Sequence, residues 1–302
     1  ASLTVSPRNT LYVEENLNID AGTFNTQYDG SDKNLTVTGG CDVTGTLTLN
    51  GSAVSVGGLR ANSGAAITQD ADGTIEMVTG YTWGDSYGFK NDDGTSDINF
   101  AGTMTISGGA YFKPNATTSA GSSVITNVIF NDGQYWIGDV KISGYLTVNV
   151  GHSLNTYGGS RSLTVVGDVT LYGSIGNAAS RSEAHTFKSL TIANGGVYNA
   201  PVSGTTTLTG EKDYWALDVA DGGTFTHNSG TVAITTNTNT FIRGMEGDDT
   251  SGSGANALND LTVNLGADSY YLSLRPIGSG VTSHNIVGDV VVTRGKLYKE
   301  TN

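Results

Sequence analysis

Two acidic, glycine-turned stretches stand out chemically, Asp70-Ala71-Asp72-Gly73 and Asn91-Asp92-Asp93-Gly94-Thr95-Ser96-Asp97. Both crowd the oxygen donors that a hard cation prefers, so Asp92, Asp93 and Asp97 are candidate calcium ligands, and calcium is the only cofactor the sequence suggests. Neither stretch completes a helix-loop-helix calcium loop or a calcium-binding nonapeptide repeat. Asp-Gly and Asn-Asp are also the ordinary residues of solvated turns, so both readings stand. Tyr81, Trp83, Tyr87 and Phe89 form an aromatic group whose rings could stack on sugars. The same alternation suits strands, or rings packed between a loop and a wall. Glycoside hydrolysis needs two carboxylates about 5 to 9 Å apart. Asp218 occupies an outward threonine position, and its aligned equivalents are Thr191 and Thr262. That frame offers no ladder of acids, so no catalytic residue is assigned.

Other chemistry is sparse. His152, His185, His227 and His284 are too scattered to suggest a metal pair. Cys41 is the single cysteine, which excludes an intrachain disulfide and a cysteine-built zinc site. It sits in the turn Gly39-Gly40-Cys41 and reads as a small structural residue. The sequence carries no phosphate loop, nucleophile elbow or dinucleotide fingerprint.

The elements that would position these residues are written in a recurring phrase: an apolar residue, Thr or Asp, then a β-branched or apolar residue. It reads Leu35-Thr36-Val37, Leu47-Thr48-Leu49, Met104-Thr105-Ile106, Leu146-Thr147-Val148, Leu163-Thr164-Val165, Leu190-Thr191-Ile192, Leu217-Asp218-Val219 and Leu261-Thr262-Val263. Alternation at period two places the apolar residues on one sheet face. Leu163, Leu190 and Leu217 are spaced by 27 residues, and Val232, Leu261 and Val290 by 29. Periods of this size indicate stacked repeats. Phe187-Lys188-Ser189-Leu190 aligns with Tyr214-Trp215-Ala216-Leu217, and a glycine follows each leucine by five residues. That glycine suits a corner with positive φ or a close approach of neighbouring coils. The fold class expected is all-β: a parallel β-helix, or β-solenoid, with coils of roughly 27 residues and loop insertions. About 11 coils at ~4.8 Å each would give a rod on the order of 50 Å long.

Composition agrees. The 302 residues include 43 Gly and only 4 Pro, with 37% apolar and 14% charged residues. A narrow solenoid core needs fewer apolar residues than a globular one. The net charge of −13 and the lack of Lys/Arg clusters argue against nucleic acid and anionic membranes as partners. No run of about 20 apolar residues suggests membrane insertion. The reading treats 1–302 as one solenoid region with loop insertions near 80–99 and 244–256. The chain starts Ala1-Ser2-Leu3 without an apolar leader, and strand phrases run as far as Val292. Part of a longer polypeptide is therefore expected, since solenoids need caps.

The segment Thr44-Gly45-Thr46-Leu47-Thr48-Leu49-Asn50-Gly51-Ser52-Ala53-Val54-Ser55-Val56-Gly57-Gly58 resembles a phrase of fibre and appendage proteins of tailed phages, marine ones especially. The phrases 189–198 and 216–225 are similar to β-solenoid repeats of phage virion proteins and bacterial adhesins. The resemblance implies a non-enzymatic structural protein on the virion surface: a tail fibre, spike or decoration serving assembly or host contact. It implies a homo-oligomer, a trimer for fibres of this kind, with other virion proteins or a host surface glycan as partners. Two alternatives stay open: an extracellular or cell-surface bacterial adhesin, and a polysaccharide-degrading tailspike.

Overall fold

The computed structural model describes residues 4–92, 96–114, 124–156, 161–176, 184–245, 256–277 and 284–300. The described residues form strands and turns with no helix. The chain divides into two compact units, 1–145 and 146–302, a boundary that no shift in composition marks.

In each unit the strands stack in parallel, each pairing with strands one repeat earlier and later. In residues 1–145, strand Leu35–Val43 pairs with Leu11–Val13 and Leu17–Ile19 on one side and with Ala53–Ala61 on the other. In residues 146–302, Leu163–Leu171 pairs with Ala184–Ile192, which pairs in turn with Thr205–Leu208 and Trp215–Val219. The expected steps Leu190 to Leu217, Val232 to Leu261 and Leu261 to Val290 are true strand registers. The step Leu163 to Leu190 is not. Leu163 faces His185, while Leu190 faces Val169, because one nine-residue strand carries two apolar phrases around a bulge.

The inward residues make continuous columns. Val165, Phe187, Leu208, Ile234 and Val263 follow one another in register and are all buried. Phe89, Phe100, Phe112 and Phe130 fill the core of the first unit, with ring centroids 5.4–6.1 Å apart. Each buried aliphatic or phenyl side chain stabilises the stack by about 1.5–3 kcal/mol. The buried polar side chains His185, Tyr198 and Thr206 find one another across neighbouring strands. Tyr198 Oη lies 2.8 Å from His185 Nδ1 and 2.7 Å from Thr206 Oγ1. The corner glycines behave as their spacing suggests: Gly195 and Gly222 take positive φ, while Gly266 sits where a Cβ would strike Asn237.

Candidate functional site

The stretch 80–99, expected as a loop insertion, is mostly strand. Strand Ala53–Ala61 pairs through its first half with Thr74–Met77 and through its second half with Phe89–Asn91. Residues 78–88 are inserted between the two halves. They form a hairpin in which Tyr81–Trp83 runs antiparallel to Asp85–Tyr87 around Gly84.

The hairpin folds back over glycines. A Cβ on Gly40 would lie 2.7 Å from the Tyr81 ring, and one on Gly58 would lie 2.9 Å from Tyr81 Cβ. Only hydrogen at both positions lets the ring settle on the sheet. Asn16 Nδ2 donates to Tyr81 Oη at 2.8 Å, and the Tyr81 and Trp83 rings touch at 4.9 Å between centroids. The four aromatic candidates therefore separate. Tyr81 and Trp83 are half-buried in the arm. Tyr87 is 7% exposed and stacks on Tyr111 at 5.5 Å. Phe89 is 0% exposed, in contact with Phe100 and Phe112, which corrects its assignment as a sugar contact.

Beside the arm runs an outward column that was not foreseen: Asn18, Asp42, Arg60, Lys90 and Lys113, in register. Asp92 pairs with two of its cations, 2.6 Å from Arg60 and 3.0 Å from Lys90. Arg60 also approaches Asp42 at 3.5 Å and lies 6.0 Å from the centre of the Trp83 ring. Burial of Asp92 opposes its charge, but hydrogen bonds and attraction from Lys90 and Arg60 outweigh it and hold the carboxyl below its ordinary value. Asp92 is thus committed to protein cations. Asp97 is exposed at the start of strand Asp97–Ile106, and Asp93 lies outside the described residues. Among the described residues no group of three His, Cys, Asp or Glu is placed to hold a metal ion.

Unit 146–302 breaks its stack in the equivalent way. Strand Ala184–Ile192 pairs through its first half with Thr205–Leu208 and through its second half with Leu217–Val219, and residues 209–216 are inserted. Lys212 and Trp215 exchange backbone hydrogen bonds of 3.0 and 2.9 Å around Asp213 and Tyr214. Both central residues have positive φ, 53° and 76°. An outward column again runs alongside: Thr191, Asp218, Arg243 and Arg275. Asp218 binds Arg243 through both oxygens, with Arg243 Nη2 to Asp218 Oδ2 at 2.9 Å. The hydrogen bond from this pair raises the Arg243 guanidinium's affinity for its proton, against the opposing effect of burial. Arg243 is therefore the neighbour of Asp218 one coil on, whereas Thr262 pairs with Ala233.

Elsewhere the carboxylates of Asp32 and Asp72 converge over Gly51, where a Cβ would lie 2.7 Å from Asp32 Oδ2 and 2.9 Å from Asp72 Oδ1. Asp168 is held by Ser189 at 2.8 Å and Lys188 at 3.1 Å. Burial pushes the Glu211 carboxyl up against the pull of Lys188. An open groove over Thr36, Ser55, Thr74 and Thr105 contains one acid, Glu76, which accepts from Ser107 at 2.6 Å. Cys41 is fully buried, and burial, then Asp42, pushes its thiol up to about 12. Among the described residues no helix is long and apolar enough to cross a membrane. No protein-family model, curated protein or solved structure matches this chain.

Proposed function

We propose that the chain is a non-enzymatic structural protein, a parallel β-helix that serves as a fibre, spike or surface decoration of a tailed-phage virion. The observation that supports this reading best is the coil-to-coil register of buried apolar columns in both units. Such columns satisfy the backbone internally and add stability coil by coil, as a load-bearing appendage requires. The acidic groups support the same reading. Asp92 and Asp218, beside the two strand breaks, are tied to Arg or Lys, an arrangement for rigidity rather than proton transfer.

Light scattering combined with small-angle X-ray scattering tests it. The expected result is an elongated particle with the mass of three chains and no release of sugar from polysaccharides. A single-chain mass overturns the trimeric fibre, and sugar release overturns the non-enzymatic assignment.

A further inference from the structure

Five parallel strands of unit 146–302 form one continuous sheet: the first halves of Leu163–Leu171 and Ala184–Ile192, then Thr205–Leu208, Thr231–Ile234 and Asp260–Asn264. Val165, Phe187, Leu208, Ile234 and Val263 are buried behind it, so alternation turns the residues just before them outward. These outward residues fall into two columns in register. Thr164, Thr186, Thr207, Ala233 and Thr262 make one, and Ala184, Thr205, Thr231 and Asp260 make the other. The one register shift among these pairings lies beyond Val165, outside the face.

Three observations set this face apart. First, Asp260, at one corner, is the only charged residue in either column, whereas the column Thr191, Asp218, Arg243 and Arg275 is broken by ions. Second, the hydroxyls of Thr164, Thr186, Thr205, Thr207, Thr231 and Thr262 make no hydrogen bond among the described residues. Two residues further along, Thr209 and Thr235 instead donate theirs to the carbonyls of Phe187 and Leu208 at 3.2 and 3.4 Å. Third, the buried column fixes the backbone behind the face, and β-branching restricts each threonine at χ1.

The outcome is a two-dimensional array. Its points repeat at about 4.8 Å from coil to coil and about 6.6 Å between residues two apart on a strand. Most points carry one methyl and one free hydroxyl. The oxygen atoms on the faces of hexagonal ice repeat at spacings close to these two. A dissolved small molecule would need a concave site with convergent polar groups, and a protein partner would need large anchors such as Trp, Tyr or Arg. Neither column holds an aromatic residue or an arginine.

We infer that this threonine face binds ice. The methyls order the water that lies over them, and the hydroxyls hold that water by hydrogen bonds at points the sheet has already fixed. Binding then costs little ordering of the protein itself, because neither strands nor side chains must be immobilised. The inference goes beyond the structural role proposed above and does not depend on it.

Nanolitre osmometry of the intact chain, with crystal growth followed by microscopy, tests it. Wild type is expected to hold small ice crystals without growth below their melting point and to facet them. Thr207→Tyr sets a ring in the middle of the array and lifts it off the crystal, so that freezing gap should be lost while the protein's own melting temperature stays unchanged. Thr186→Lys, one coil away, should lose it as well. Thr191→Tyr, on the column of Asp218, should keep the full gap. No gap for wild type, an equal gap for wild type and both face variants, or an equal loss in Thr191→Tyr overturns the inference. A wild type inert towards ice, whose mass in solution falls on Thr207→Tyr, would assign the face to contact between copies and overturn it too.

Discussion

The insertions at 78–88 and 209–216 interrupt their stacks at the same point, the middle of a long strand, and each sets a tryptophan against an arginine–aspartate pair. The first is closed. It is long enough to form a hairpin, and Gly40 and Gly58 provide a floor for Tyr81. The second is open. It closes in a single two-residue turn between Lys212 and Trp215, which leaves Tyr214 in solvent. Insertion length and the presence of glycine beneath it thus decide whether the same residue types become packing or exposed surface.

The largest effect separating the two should come from the core below the closed arm. Phe89→Ala is expected to cost about 3–5 kcal/mol in urea unfolding, because it empties a packed aromatic column. Tyr214→Ala should cost almost nothing by the same measurement. Equal costs would erase the distinction. Next in size, Gly58→Ala forces Tyr81 off the sheet. The expected outcome is faster amide exchange through 81–87 with exchange through 212–219 unchanged.

Acid should separate the regions as well. The ordinary carboxyl value for Asp92 is 3.8, and its folded value is lower. Its stabilising contribution is therefore complete above about that pH and is lost as pH falls through the folded value. The stability gap between wild type and Asp92→Asn should persist at neutral pH and close below pH 3.8. A gap that instead widens in acid would show that Asp92 is not held by Arg60 and Lys90. The smallest effect is a gain. Tyr214→Gly should stabilise by about 0.5–1 kcal/mol, since glycine accepts positive φ without strain. Cys41 supplies an internal control: with its thiol pushed up to about 12 and fully buried, it should resist thiol reagents until the chain unfolds.

The phrase Leu-Thr-Val was enough to read parallel strands and their inward faces, because alternation at period two survives in one dimension. It misjudged coil length where a strand carries two phrases, as Leu163–Leu171 does. The pairing of Asp218 with Arg243 was hidden for a related reason. The intervening strand Thr240–Arg243 lacks the phrase, so the frame skipped to Thr262. The aromatic group at 81–89 was visible as composition. Its division into arm and core depended on Gly40 and Gly58, distant in sequence. The sequence alignment sets Tyr214 against buried Phe187, but in register Phe187 is followed by Leu208, and Tyr214 belongs to the inserted turn.

Hydroxyl-radical footprinting read residue by residue tests the contrast between the insertions most directly. The account predicts rapid oxidation of Tyr214 and Tyr298, 68% and 47% exposed, and near-complete protection of Tyr87 and Phe89. Protection of Tyr214 equal to that of Tyr87 would contradict it.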